Sequence, residues 1–194
     1  MEAVSFLVAA GALVVIWAVI SLIGGSWNVL RFIQGEDHRP STSKAQWLLW
    51  TIVILFSYVA IYAARAQRGH FEALGEVPAN VLVALGLTTA TMAVAKGIAM
   101  SKRQPPATAA TLGISDLRFL VQENDGSPDL SKAQMLAWTF VALSVYVLVV
   151  VNQVHGIVHD VPGSIGIPDI DGSLMALMGL GQGGYIAKKV VSPS

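Results

Sequence analysis

Five long apolar stretches without a Lys, Arg, Asp or Glu divide the chain: residues 3–30, 45–64, 77–95, 133–154 and 172–187. At a rise of about 1.5 Å per residue, some twenty residues of helix cross the ~30 Å hydrocarbon layer of a bilayer. The first four stretches therefore predict transmembrane helices. The fifth has sixteen residues, but Lys188 and Lys189 at its end can snorkel and lengthen it. The expectation is an all-α integral membrane protein with five spans, at about 3–23, 44–64, 77–100, 132–152 and 172–189.

The polar punctuation between these stretches is written twice. Residues 40–58 and 128–146 align at an offset of 88, and eleven of the nineteen positions are identical. They include Ser43-Lys44-Ala45-Gln46, returning as Ser131-Lys132-Ala133-Gln134, with Trp50 and Trp138 one turn deeper. Two greasy helices match by chance in Leu and Val, not in Ser, Lys, Gln, Trp and Tyr together. Upstream, Leu30-Arg31-Phe32 is echoed by Leu117-Arg118-Phe119, and Gln34 and Asp37 by Gln122 and Asp125. An interfacial helix or an extended piece suits these elbows equally. Downstream, Leu82, Ala84, Leu85, Ala95 and Lys96 match Leu174, Ala176, Leu177, Ala187 and Lys188. The organisation is an N-terminal transmembrane helix (1–26), a first repeat of elbow plus helical hairpin (27–103), a flexible Pro/Ala/Thr linker (104–115) and a second repeat (116–194). Each repeat contains two spans, so the copies run parallel, related by a pseudo-twofold axis along the membrane normal.

Composition and charge sharpen this picture. The chain is 54% hydrophobic and only 12% charged, about half the charge of a soluble domain. Its net charge of zero offers nothing to nucleic acid, and the absence of Cys removes disulfides and thiol chemistry. Met1-Glu2 lacks the positive start of a signal peptide, so retention of the first apolar run is expected. With five spans, ten Lys and Arg fall on the Ser43–Ser131 side and only Arg65 and Arg68 on the other. That places the N-terminus outside and the C-terminus in the cytoplasm.

The repeated Ser-Lys-Ala-Gln reads as a capping box, with Ser43 and Ser131 at N-cap and Gln46 and Gln134 at N3. Trp50 and Trp138 then read as interface anchors. Lys44 and Lys132 would sit at N1 against the helix dipole, offset by anionic headgroups. Asn80 is a plausible N-cap of the third helix, and Pro168-Asp169-Ile170-Asp171 caps the fifth. No Asp, Glu or Arg falls within a predicted span, which argues against a proton-relay pump. Thr88, Thr91 and Gln182 are the pore-lining candidates, although Thr commonly bonds back to its own helix. Gly179 and Gly183 form a G-x-x-x-G that suits tight helix packing, within a protomer or between protomers. His155 and His159, spaced i, i+4, can share a helical face, but two ligands are too few and no metal site is expected. Glu123-Asn124-Asp125-Gly126 lacks EF-hand spacing and reads as a turn. Phosphate-loop, dinucleotide, nucleophile-elbow and zinc-protease signatures are missing, so neither an enzyme nor a cofactor is expected.

Three of these stretches resemble a widespread group of uncharacterised bacterial multi-span membrane proteins. They are the duplicated S-K-x-Q helix start, Val77-Pro78-Ala79-Asn80-Val81-Leu82 leading to Ala95-Lys96-Gly97, and Gly179-Leu180-Gly181-Gln182-Gly183-Gly184-Tyr185 with Lys188-Lys189. The resemblance implies the bacterial cytoplasmic membrane and carries no functional residues. Two functions follow as expectations: a small homo-oligomeric channel, or a structural membrane protein whose cytoplasmic loops dock a soluble partner. In both, the lipid bilayer is the first partner.

Overall fold

The computed structural model describes residues 1–35, 38–71, 77–101, 113–123, 125–162 and 166–191. Most of the 104–115 linker, Lys102, Arg103, Asp37, Glu72, Glu76 and Asn124 lie outside the described residues. Five helices carry the fold: α1 (Glu2–Gly24), α2 (Thr42–Ala66), α3 (Ala79–Ser101), α4 (Leu130–Val158) and α5 (Gly172–Val191). Among the described residues there are no strands. Four helices are long and apolar enough to cross a membrane: α1, α2, α3 over Ala79–Ile98, and α4. In α5 the glycines, Gln182 and two lysines dilute the apolar character of its 20 residues.

Packing follows a ring. α2 lies against α3 and α4, and α5 against α3 and α4, so the order around the bundle is α2, α3, α5, α4. α1 packs on the flank of α2, where Phe6 stacks on Phe56 at 6.1 Å and Gln67 Nε2 donates to Ser5 Oγ at 2.8 Å. Its other faces are apolar and exposed, as lipid contact requires. The bundle core is built from Trp50, Ala60, Ile61, Val81, Ala84, Ala142, Tyr146, Val150, Val154 and Met178. Trp50 and Tyr146 face each other across α2 and α4 with ring centroids 6.1 Å apart.

The two elbows are built alike. Each is a 3₁₀ turn, Val29–Ile33 and Ile114–Leu120, which decides between the helical and extended alternatives. Each then closes a short loop with an isolated antiparallel bridge, Gln34 to Pro40 and Gln122 to Pro128. Gly35 N–H donates to Arg39 O and Ser41 N–H to Ile33 O; 88 residues later Glu123 donates to Ser127 O and Asp129 to Val121 O. A left-handed backbone turns each loop, at His38 (φ 59°) and at the equivalent Gly126 (φ 86°). Gly is suited to that conformation, and His adopts it at a modest cost.

Both helices that follow begin two residues earlier than the capping-box reading expects. The N-cap positions are Ser41 and Asp129, so Ser43 and Ser131 sit inside the first turn. The reason is plain at Asp129, whose Oδ1 accepts from the N–H groups of Ser131 at 3.0 Å and Lys132 at 3.2 Å. A carboxylate at the positive helix end outcompetes a hydroxyl two residues on. Asn80 is likewise not a cap, because α3 has already started at Ala79. Its Nδ2 instead donates to Asp169 Oδ2 at 2.9 Å and Ile170 O at 3.0 Å, holding the start of α3 against the α4–α5 loop. Asp171 does cap α5, accepting from Ser173 N–H at 2.8 Å.

Candidate functional site

Polar residues inside a helical bundle are costly unless paired, so their partners identify what each is for. The two repeated lysines are structural braces. Lys44 Nζ donates to Gln34 O at 2.5 Å, and Lys132 Nζ to Gln122 O at 2.6 Å. Each thereby ties its elbow to the helix start, and the elbow carbonyl helps offset the unfavourable dipole position. Lys188 is held in the same region, 2.5 Å from Glu123 Oε1 and 3.0 Å from Asp129 Oδ1. It anchors the end of α5 to the second elbow. Burial pushes the Asp129 carboxyl up, but the bonds from Lys188 and the Lys132 N–H outweigh it and hold it below the usual carboxylate range.

The capping partners assigned to the two glutamines are not used. Gln134 is exposed, whereas Gln46 is buried with neither amide atom hydrogen-bonded among the described residues. Trp50 is fully buried rather than an interface anchor, and its Nε1 also lacks a partner there. Trp138 is half-buried and lies beside α5. The three pore candidates all face inward. Thr88 bonds back to Ala84 O and Leu85 O, the local pairing common for a helical Thr. Thr91 Oγ1 donates to Gln182 Oε1 at 3.0 Å, linking α3 to α5, while Gln182 Nε2 stays without a partner among the described residues.

Ordered along the bundle, Gln46 lies about 6 Å and Trp50 about 12 Å beyond the start of α2. Thr91 lies at comparable depth from the end of α3, about 15 Å, and Gln182 about 14 Å from the end of α5. Past the Trp50–Tyr146 pair, a groove of about 280 Å³ opens, lined by Tyr146, Val149, Asp169, Asp171 and Leu174. The backbone N–H groups of Leu174 and Ser173 hold the Asp171 carboxyl below its ordinary range, so the groove carries negative charge at neutral pH.

Gly179 and Gly183 do not pack against the chain: a Cβ on either would meet nothing within 4 Å among the described residues. The close approach belongs to Gly181, whose Cβ would lie 3.5 Å from Met135 Cα and 3.7 Å from Trp138 Cδ1. The register of the glycine run, not its density, decides which member touches α4.

At the opposite end of the bundle from the elbows, α4 continues to Val158. His155 therefore sits in its last turn and His159 at its C-cap, not on a loop. Both rings meet Glu2 Oε1, His155 Nδ1 at 2.8 Å and His159 Nε2 at 3.1 Å. Glu2 is 153 residues from His155, and no local pattern announces the encounter.

No protein family matches the chain, and neither a curated protein nor a solved structure is detectably similar to it.

Proposed function

We propose that the protein spans the bacterial cytoplasmic membrane five times and acts as a small homo-oligomeric channel for ions or small solutes. In this reading α5 completes the second of two parallel hairpins. The ten-to-two distribution of Lys and Arg supports an outside N-terminus and a cytoplasmic C-terminus. The shared bonding of the two elbows supports the duplication.

The observation that carries the channel is that, among the described residues, buried polar atoms inside the bundle lack partners, including both amide atoms of Gln46, Trp50 Nε1, Tyr146 Oη and Gln182 Nε2. A buried polar group left unpaired costs about 1–3 kcal/mol, and more where lipid surrounds the bundle. Water or a passing solute supplies the missing bonds at little cost. Gln46, Trp50 and the Thr91–Gln182 pair are then the positions at which such water or solute would be held. Purified protein in liposomes should pass monovalent cations or small neutral solutes, and Gln182→Leu should change that flux at least several-fold.

A second reading rests on the elbows. They are braced by Lys44 and Lys132, yet Ile114 and Leu130 are about four-fifths exposed on the same face (83% and 80%). Rigid loops presenting apolar side chains suit a soluble cytoplasmic partner. Absence of flux together with a stoichiometric co-purifying soluble protein would favour that reading.

A further inference from the structure

We propose that Glu2, His155 and His159 form a binding site for a divalent cation of the zinc type, which clamps the start of α1 to the end of α4. The donors come from two helices far apart in sequence: a carboxylate oxygen of Glu2 and the facing nitrogens Nδ1 of His155 and Nε2 of His159. All three ligand atoms lie within 4.8 Å of one another. Tetrahedral zinc, with bonds of about 2.0–2.2 Å, requires donors about 3.3 Å apart. The two nitrogens are 2.8 and 3.1 Å from Glu2 Oε1, so small side-chain rotations open the space for an ion. Two imidazoles and one carboxylate are a donor set that zinc, nickel and copper accept and that calcium and magnesium do not favour.

The surroundings hold the ligands in place. The rings of His155 and His159 lie against each other at a tilt of 44°, with centroids 4.4 Å apart. The chain leaves α4 through Asp160 in a left-handed conformation (φ 55°), and Arg68 fixes that exit by bonding Val158 O and pairing with Asp160 at 3.2 Å. Asp160 also pairs with Arg68 and so weakens the repulsion this cation at the end of α2 would offer a metal. Both histidine side chains are 56% exposed, so an ion arrives from water and keeps one position for a water ligand. Binding an ion at these three atoms releases to water the protons that now hydrogen-bond the two rings to Glu2 Oε1.

The test uses untagged, detergent-solubilised full-length protein titrated with Zn²⁺ by calorimetry and with Co²⁺ by visible absorption. The expected result is one ion per chain and a Zn²⁺-dependent rise in the unfolding midpoint. Affinity should fall at least tenfold in His155→Ala, His159→Ala and the isosteric Glu2→Gln, with His70→Ala unchanged. Circular dichroism and size-exclusion profiles confirm that each variant is folded. If a histidine variant does not fold, Glu2→Gln decides. Equal affinity in wild type and Glu2→Gln, or no saturable binding by wild type, overturns the proposal.

Discussion

Asp129 concentrates more work than any other side chain at the elbow end. It caps α4, receives Lys188 from α5 and is 5% exposed. Its counterpart Ser41 occupies the same N-cap position without a side-chain cap bond. Asp129→Ala should therefore cost about 2 kcal/mol, combining a lost cap with the loss of one of the two carboxylates that hold Lys188. Ser41→Ala should cost under about 0.5 kcal/mol. Thermal unfolding in micelles distinguishes the two. The pH dependence has a definite sign. The folded Asp129 carboxyl lies below its unfolded value of 3.8, so its stabilisation is complete above that value and is lost as pH falls below it through the lower folded value. Asp125, lowered by the hydroxyl and N–H of Ser127, and Asp171 act in the same direction. The unfolding midpoint should be insensitive to these groups between about pH 7 and pH 5 and drop below about pH 4, and Asp129→Asn should blunt the drop.

For the helices, the apolar stretches placed all five to within two residues, because hydrophobic length is a strong signal, except that α4 runs to Val158, six residues past its expected end. Their termini were less legible. Ser131-Lys132-Ala133-Gln134 satisfies the capping-box pattern, yet Asp129 caps α4 better and the helix begins upstream. The interior role of Trp50 was hidden for a related reason: an aromatic one turn from a helix start fits an interface belt or a core equally, and only Tyr146 on α4 decides. The glycines of α5 show the same limit. Gly179 and Gly183 have the familiar spacing, but Gly181 meets α4. Gly181→Leu should separate α4 from α5 and destabilise the protomer by about 1–3 kcal/mol. Gly183→Leu should leave the protomer folded and, where the free glycine face joins protomers, reduce the mass measured by light scattering in detergent.

In the molecule as a whole, the braced elbows and the ring of four helices enclose polar groups that the ring itself does not satisfy. Thr91 and Gln182 were recognisable as polar residues inside predicted spans, since a Gln in an apolar run stands out. Gln46 was read as a cap because it lies so near the helix start, and its burial depends on how α2 packs against its neighbours in the bundle. The Glu2 contact with His155 and His159 lay beyond any local signal, because it joins the first turn of the chain to a helix end 153 residues away. The central claim is that the bundle interior around Gln46 and Gln182 is wet. The chain contains no Cys, so single cysteines at Gln46, Gln182 and the outward-facing Leu148 can be compared without background. Labelling in proteoliposomes with a small, charged, membrane-impermeant thiol reagent should modify Gln46→Cys and Gln182→Cys at least tenfold faster than Leu148→Cys. Modification of both inner positions no faster than at Leu148→Cys would contradict a hydrated path and, with it, the channel.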